Sequence, residues 1–346
     1  MPTPVKSLTS VYQRSLSNGV LFAVLSATGF SLKAVFVKLS YAVAPVDAIS
    51  VLAIRMGLAL PLFCWLIWLS KGAYEQDSLS LKDGMHILLL GLFGYYLSSL
   101  FDFYGLQYIS ASLERLILFI YPTLVLLLQI PITRQLPSKK TIWGFAICYA
   151  GLGVALLHEI QLAGAGSQIL TGAVWVFASA VTYALYYVGT GAVIQRVGAM
   201  RLAGLAGSAS SVMVLIHYGM TKDIHQLVSV PAPLWIYGML MAVFSTVLPL
   251  YWMTLAIQRM GASNAAAFGN LGPVLTMFAS WVMLSETISM YQLTGLALVL
   301  FGVSRLSISK GDIGSKKKAL RAEMPGHHLL APMLRRPSKT HAESED

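Results

Sequence analysis

Ten long apolar stretches occupy most of the chain, and they constrain its fold more than any other feature. They lie at about residues 18–41, 46–69, 84–105, 111–132, 140–157, 169–193, 202–219, 232–255, 263–284 and 288–306. A helix needs about 20 mostly apolar residues to cross a bilayer. The stretches are continuously apolar and do not alternate with a period of two, which favours helices over a barrel. The predicted fold class is therefore an all-α polytopic membrane protein with ten transmembrane helices.

The composition agrees with a membrane location and argues against a nucleic-acid partner. Only 11% of the residues are charged and 56% are hydrophobic, whereas an average soluble domain carries roughly 25% charged residues. The net charge is +10, but the basic residues lie in short loops and in the C-terminal tail without interleaved aromatics. The expected partners are the lipid bilayer and a small-molecule substrate, and formation of a homodimer is left open.

The distribution of lysine and arginine predicts the orientation of the chain in the membrane. If the N-terminus is cytoplasmic, the loops predicted to lie outside contain a single basic residue, Lys222, and all the other lysines and arginines of loops and tails lie on the inside. Both termini are therefore predicted to be cytoplasmic, and the membrane to be the inner membrane of a bacterial cell. Residues 1–17 are predicted to form a cytoplasmic tail, and residues 308–346 a disordered basic tail.

An internal repeat with an offset of 151 residues divides the chain into two halves. The offset aligns QYISAS with QRMGAS, Pro122 with Pro273, Gly144 with Gly295 and Gly151 with Gly302. Several matches in register indicate a duplication, with the first copy at 18–157 and the second at 168–307. Each copy has five predicted helices, an odd number, so the second copy must be inverted in the membrane. Inverted repeats are typical of secondary transporters.

The repeated segments also carry a resemblance to a known family. They read LQYISASLERLILFIYPTLVLLL in the first copy and IQRMGASNAAAFGNLGPVLTMFASWVMLSETISMYQLTGLALVLFGV in the second. The chain, over about residues 18 to 307, resembles the drug/metabolite transporter superfamily, of the ten-helix type with two EamA domains. The family motif places a glutamate shortly before the last helix of each copy; Glu286 matches it, and Gln135 stands in the first copy. The resemblance implies a proton- or exchange-driven carrier, often an exporter of amino acids or related metabolites.

Several charged residues fall inside the apolar stretches of the first copy. Five of them are Lys33, Arg55, Asp102, Glu114 and Arg115. At 1.5 Å per residue, all of them come out in the outer half of the predicted bilayer. A charge at the centre of a membrane helix costs at least ~2.5 kcal/mol, so such residues usually pair with one another or face a water-filled cavity.

Two interpretations of these charges remain open at this point. In the structural one, Asp102 and Arg115 form an ion pair across the hairpin of the third and fourth helices. In the functional one, Lys33, Arg55 and Glu114 line an outward-opening cavity. Arg55 or Lys33 would then hold a substrate carboxylate, and Glu114 would bind an amine or a proton. Lys38 is predicted to extend its amino group to the outer headgroups.

Further candidate residues lie near the middle of the predicted spans. Pro122 and Pro273 occupy equivalent positions, and because proline removes a helical hydrogen bond, they predict a bend or a gate beside the central site. Asn264 and Asn270 offer neutral hydrogen bonding to a substrate. Four aromatic residues are candidates for stacking on an aromatic or apolar substrate: Tyr121, Tyr183, Tyr186 and Trp252.

No catalytic constellation is evident in the sequence. It contains no phosphate loop, no HExxH motif and no GxSxG motif, so no enzyme activity, cofactor or metal site is predicted. The favoured function is secondary transport, with export of a small polar or zwitterionic, amino-acid-like metabolite by proton antiport or exchange. Uptake, lipid or multidrug efflux, and a non-transporting membrane scaffold or sensor are the alternatives.

Overall fold

The structure, a computed structural model, describes residues 19–70, 79–134, 136–163, 166–260 and 268–305. Within these ranges the chain is almost entirely helical and contains no β-strand. The main helices are α1 (Gly19–Val43), α2 (Ala48–Ser70), α3 (Leu81–Gly105), α4 (Ala111–Ile132), α5 (Lys139–Ala163), α6 (Gly166–Val197), α7 (Ala199–Thr221), α8 (Ala232–Ala256), α9 (Phe268–Leu284) and α10 (Met290–Ser304).

Helices α1 to α8 are each long and apolar enough to cross a membrane, and α9 and α10 are shorter apolar helices. The prediction of an all-α membrane protein is confirmed at this level. The count of ten spans and the inversion of the second copy stay predictions. The predicted tails at 1–17 and 308–346, together with Asn264 and Gln135, lie outside the described residues.

Serine side chains fix where several helices begin. The Ser80 hydroxyl accepts a hydrogen bond from the Lys82 N–H at 3.1 Å, and the Ser110 hydroxyl accepts one from the Leu113 N–H at 3.1 Å. Ser289 caps α10 in the same way. A serine at this position satisfies backbone donors that have no partner inside the helix. Each of these three serines therefore stabilises the first turn of the helix that follows it.

Departures from regular helix recur 151 residues apart. Helix α3 contains a π-helical segment at Leu92–Leu97, and α8 contains one at Val243–Val247. Arg134, at the end of α4, and Ser285, at the end of α9, both have φ of 54° and ψ of 27°. These are the two non-glycine residues with positive φ among the described residues. The offset found in the sequence thus also relates rare backbone features.

Helices α5 and α10 pack closely through glycine. A Cβ atom placed on Gly151 would lie 2.8 Å from the Gly295 carbonyl oxygen, and one on Gly302 would lie 2.7 Å from the Gly144 carbonyl oxygen. The contacts on α10 move from Gly302 to Gly295 as those on α5 move from Gly144 to Gly151, so the two helices run antiparallel. Small residues allow such close approach in membrane helices.

We expect Gly151→Val to force α5 and α10 apart, because the new Cβ would collide with backbone that cannot rotate away. Overpacking of this kind typically costs about 1–3 kcal/mol, so the melting temperature of the detergent-solubilised protein should fall. Gly153→Val is the matched control, since a Cβ there meets no atom within 4 Å. Equal melting temperatures for the two variants would contradict the close contact.

The remaining packing joins helices of the two sequence copies. Helix α6 packs against α3 and α4, α1 packs against α8 and α9, and α4 also contacts α9. Helix α2 packs against α7, α8 and α3, and α5 packs against α10. The charged residues of α1, α3 and α4 are consequently directed toward a common interior region.

Candidate functional site

Lys33 and Asp102 form an ion pair between α1 and α3. The Lys33 Nζ lies 2.7 Å from the Asp102 Oδ2, and the Asp102 side chain is 1% exposed. The pair lies toward the end of the bundle where the turn at residues 106–110 connects α3 to α4, termed here the α3–α4 end. A buried charge is stable only when it is paired, so this contact ties α1 to α3.

Glu114 is buried beside this pair and has no hydrogen-bond donor among the described residues. Its carboxylate lies next to that of Asp102, and its Oε2 is 3.9 Å from the Arg115 Nε. The relative exposure of the residue is 0%. A buried polar group normally has a partner. The Glu114 carboxylate is therefore unusual, because neither of its oxygens accepts a hydrogen bond from a described residue.

Arg115 extends away from α4 into the contact between α1 and α9. Its Nε donates to the Thr276 hydroxyl at 3.1 Å, and its Nη2 donates to the Phe30 carbonyl at 2.7 Å. The Thr276 hydroxyl in turn donates to the Ser31 carbonyl at 3.0 Å. Arg115 therefore joins α4, α1 and α9, which come from both sequence copies.

The ion pair predicted between Asp102 and Arg115 is not the one that forms. Lys33 occupies the position beside Asp102, and Arg115 acts on Asp102 only at longer range. The prediction rested on the α3–α4 hairpin alone. It failed because α1 packs against the same end of the bundle and brings a cation closer, while the long arginine side chain reaches the backbone of α1.

Arg55 is a buried cation of α2 that bridges α3 and α8. Its Nε donates to the Thr246 hydroxyl at 3.0 Å and its Nη1 to the Ser99 hydroxyl at 3.4 Å. The guanidinium carbon lies 5.5 Å from the centre of the Phe103 ring, a favourable cation–π distance. Among the described residues, none of the ion pairs within 4 Å includes Arg55.

Arg55 lacks an anionic partner of its own in this region. Lys33 is paired with Asp102, and Arg115 lies 3.9 Å from Glu114, whereas no carboxylate lies within 4 Å of Arg55 among the described residues. Because a buried cation without a close counter-ion is costly, Arg55 favours binding of an anionic group. These five residues are called the charged cluster below.

Five tyrosines from three helices form a second cluster. They are Tyr95 of α3, Tyr121 of α4, and Tyr183, Tyr186 and Tyr187 of α6. Neighbouring ring centres lie between 5.0 and 6.0 Å apart, and the hydroxyls of Tyr95 and Tyr186 are 3.3 Å apart. Such pairs stabilise each other, and their faces and hydroxyls suit a ring or a polar group.

The sequence predicted part of this tyrosine cluster. It named Tyr121, Tyr183 and Tyr186, and it missed Tyr95 and Tyr187. Tyr187 follows Tyr183 by four residues, and this spacing places both side chains on the same face of a helix. Tyr187 could therefore have been predicted from the sequence, whereas no sequence pattern connects Tyr95 with the others. Trp252, named with them, has no ring contact with these tyrosines in the described part of the chain.

The two predicted bend prolines lie where their helices restart. Helix α4 is interrupted at Phe119–Ile120 and resumes as Tyr121–Thr133, with Pro122 in its first turn. Helix α9 has a 3₁₀ segment at Phe268–Asn270, and Pro273 follows in the first turn of the α-helical part. A proline lacks the N–H that would bond the preceding turn. Asn270 is exposed there, and its side chain does not cap the helix.

Comparison with known proteins identifies a family that matches both halves of the chain. A model of the EamA-like transporter family matches residues 17–157 and 170–308. The uncharacterized transporter YcbK of Bacillus subtilis (strain 168) is 30% identical over 312 residues, covering 88% of this chain and 97% of that protein. An uncharacterized transporter of Archaeoglobus fulgidus is 24% identical over 270 residues, covering 78% of this chain and 91% of that protein.

A solved crystal structure shares the fold. The superposition has a TM-score of 0.57 with 16% sequence identity, and it covers 86% of this chain and 99% of that chain. At this level of identity the likeness concerns the arrangement of helices alone.

Proposed function

Since this chain belongs to the EamA-like transporter family, we propose that it is a secondary active carrier that exports a small zwitterionic, amino-acid-like metabolite in exchange for protons. The observation that carries the proposal is the charged cluster, in which the Glu114 carboxylate accepts no hydrogen bond and Arg55 has no carboxylate within 4 Å among the described residues. A zwitterion supplies both missing partners, because it carries a carboxylate and an ammonium group.

The roles follow from the partners that each residue already has. Arg55 has no carboxylate partner within 4 Å in the described structure, so it would bind the substrate carboxylate; Lys33 is committed to Asp102 at 2.7 Å. Glu114 would accept the substrate ammonium group or a proton, because a buried carboxylate without a donor can take either. One site that binds a proton and an ammonium group alternately couples their movements in opposite directions.

Two inverted five-helix repeats would provide the conformational change, and several observations support this organisation. The last helices of the two copies, α5 and α10, pack antiparallel. Equivalent helices α4 and α9 do the same: Ser112 contacts Ser280 at 2.8 Å, and Arg115 contacts Thr276. Movement of one copy against the other then opens the centre to each side in turn.

The orientation of the carrier follows from its basic residues. We place both termini in the cytoplasm of a bacterial cell, because the lysines and arginines fall almost entirely on that side under the positive-inside rule. The α3–α4 end is then the outer end of the bundle. Relatives from Bacillus subtilis support placement in the membrane of a bacterial cell.

The proposal is tested with purified protein in proteoliposomes loaded with mixed amino acids and small metabolites. An inward proton gradient is imposed, and mass spectrometry identifies what leaves. Selective loss of one or a few zwitterions, absent from empty liposomes, is the expected result. Loss of apolar cations instead would indicate multidrug efflux, and no loss of any compound would contradict the proposal.

A second candidate is movement of an amphipathic molecule, and a lateral groove favours it. The groove has a volume of about 290 Å³ and lies between α1 and α9. Its lining is mostly apolar: Thr28, Ser31, Leu32, Leu275, Phe278, Ala279, Val282 and Met283. Arg115 lies behind it, bonded to Phe30 and Thr276. Flipping of a fluorescent phospholipid in the same proteoliposomes distinguishes this function from export of a soluble zwitterion.

A non-transporting scaffold is disfavoured by the same charges. A structural protein would be expected to neutralise its buried charges fully, because each unpaired charge lowers its stability. Here Arg55 has no carboxylate within 4 Å, and Glu114 accepts no hydrogen bond, among the described residues. In a carrier such groups have a function, because the bound substrate supplies the missing carboxylate and ammonium partners.

A further inference from the structure

Three side chains from distant parts of the chain hold the beginning of α4. The Glu286 Oε1 accepts a hydrogen bond from the Ala111 N–H at 2.9 Å, and its Oε2 accepts from the Ser112 N–H at 3.3 Å and from the Ser112 hydroxyl at 2.9 Å. Glu286 follows α9, 175 residues from Ala111. A carboxylate at this position satisfies unpaired donors and interacts favourably with the helix dipole.

Glu159 of α5 binds the same turn. It accepts hydrogen bonds from the Ser110 N–H at 3.1 Å and from the Ser110 hydroxyl at 3.0 Å. Hydrogen bonds to a charged group are among the strong ones in proteins. Two carboxylates, one on α5 and one on the segment between α9 and α10, therefore hold three consecutive residues, Ser110 to Ser112.

Lys38 of α1 binds the other side of the turn. Its Nζ donates to the Leu106 carbonyl at 3.2 Å and to the Ile109 carbonyl at 3.1 Å. The sequence predicted that this amino group reaches the headgroups. The structure directs it into the protein instead, where the turn offers unpaired carbonyl groups and Glu159 and Glu286 supply negative charge nearby.

The burial of α4 changes sharply along its length. From Ala111 to Ile120 every residue except Arg115 is buried, whereas from Tyr121 onward Thr123 is the one buried residue among those whose side chains are described. On α9 the buried residues lie between Pro273 and Ser280, whereas Trp281, Val282 and Met283 are exposed. The first ten residues of α4, which begin at the turn held by Glu286 and Glu159, are therefore the tightly packed part of that helix.

We propose that Glu286, Glu159 and Lys38 form a latch that closes the outer end of the transport pathway. The inference rests on the proposed carrier function, in which the outer end must open in every cycle. Because α4 also carries Glu114 and Arg115, release of its N-terminus moves the charged cluster. Opening of the pathway and rearrangement of the site are then a single event.

Glu286 has no charged counterpart in the other copy, because the offset of 151 residues aligns it with the neutral Gln135. Ser285, directly before Glu286, and Arg134, directly before Gln135, share a left-handed conformation with φ of 54°. The two copies therefore keep the same helix end and differ in the charge of the side chain that follows it.

The latch is tested by access of a water-soluble reagent to the residue beneath it. Ser280, which is fully buried and bonded to Ser112, is changed to cysteine in a background with Cys64→Ser and Cys148→Ser. Membrane-impermeant MTSET is added outside intact cells, and the rate of modification is measured. Glu286→Gln should raise the rate about tenfold or more, since it removes charge-assisted hydrogen bonds.

The control is Asp83→Asn, which breaks the Asp83–Arg196 ion pair of 2.6 Å away from the α3–α4 end and should leave the rate unchanged. Lys38→Met provides an independent variant should Glu286→Gln fail to fold, and it too should raise the rate. Rapid modification of the parent, or equal rates in the parent and in every folded latch variant, would overturn the latch. The assay needs neither substrate nor proton gradient, so it separates failure of the latch from failure of the transport proposal.

Discussion

Replacing Glu114 with glutamine is expected to lower proton-driven efflux about tenfold to hundredfold while preserving substrate exchange across the membrane. The glutamine has nearly the same shape and keeps an oxygen that accepts a hydrogen bond from an ammonium group, but it cannot exchange a proton. The size of the effect follows from the strength of hydrogen bonds to charged groups. Efflux is measured under an inward proton gradient, and exchange as uptake of labelled substrate into substrate-loaded vesicles.

The matched control for this experiment is Asp83→Asn, which also removes a carboxylate but lies far from the charged cluster. Its efflux and exchange should both match the wild type. Unchanged efflux in Glu114→Gln would remove Glu114 from the coupling mechanism and leave it a structural residue. Loss of exchange together with efflux would show that Glu114 is needed to hold the substrate itself.

Replacing Arg55 with methionine is expected to raise the KM for the zwitterion about tenfold to hundredfold, because the substrate carboxylate loses its charged donor. The methionine fills much of the same space without a charge. Arg196→Met, on an exposed arginine, is the control and should leave the KM unchanged. The kinetic comparison is made in proteoliposomes for each variant.

If Arg55 has a purely structural role, Arg55→Met should change stability without changing the preference for a substrate carboxylate. Arg55 bonds Thr246 and Ser99, so its loss also lowers stability, and the melting temperature must be measured beside the KM. The decisive readout is the substrate amide, which lacks the carboxylate charge. For the wild type, the KM of the amide should be much higher than that of the zwitterion. For Arg55→Met, the two KM values should be similar. Equal discrimination in both proteins would contradict the assigned role.

The helices and the repeat were accessible from the sequence because they depend on local and periodic properties. Apolar stretches alone located most of the helices, and the offset of 151 residues found in the sequence also relates π-helical segments and left-handed residues of the structure. Helix α6 extends over Gly166–Val197, beyond the predicted stretch at 169–193. The residues added at its ends are mostly polar or small, so hydropathy did not include them.

The partners of the charged residues were not accessible in the same way. Which cation reaches Asp102 depends on how α1 packs against α3, and nothing local in the sequence encodes that distance. The contact between Glu286 and Ala111 spans 175 residues and likewise follows only from the folded arrangement. Thr246, Thr276 and Ser99 carried no signal, because hydroxyl residues are common in membrane helices and seldom reveal what they bind.

The two copies share backbone features but carry different side chains at equivalent positions. Lys33 is matched at an offset of 153 residues by Tyr186, and each lies in a cluster: one charged, one of tyrosines. If the copies are inverted, the outer half of the pathway is ionic and the inner half is aromatic. A zwitterion would then meet aromatic rings from the cytoplasm before it reaches the charges that hold it.

The most direct test of the account follows protons and substrate together. Proteoliposomes are loaded with the zwitterion identified by the efflux screen and with the pH-sensitive dye pyranine, then diluted into substrate-free buffer at the same pH. Proton antiport at the charged cluster predicts that the lumen becomes acidic as substrate leaves, and that Glu114→Gln abolishes the acidification. Departure of substrate without any change of luminal pH would contradict proton antiport at the charged cluster.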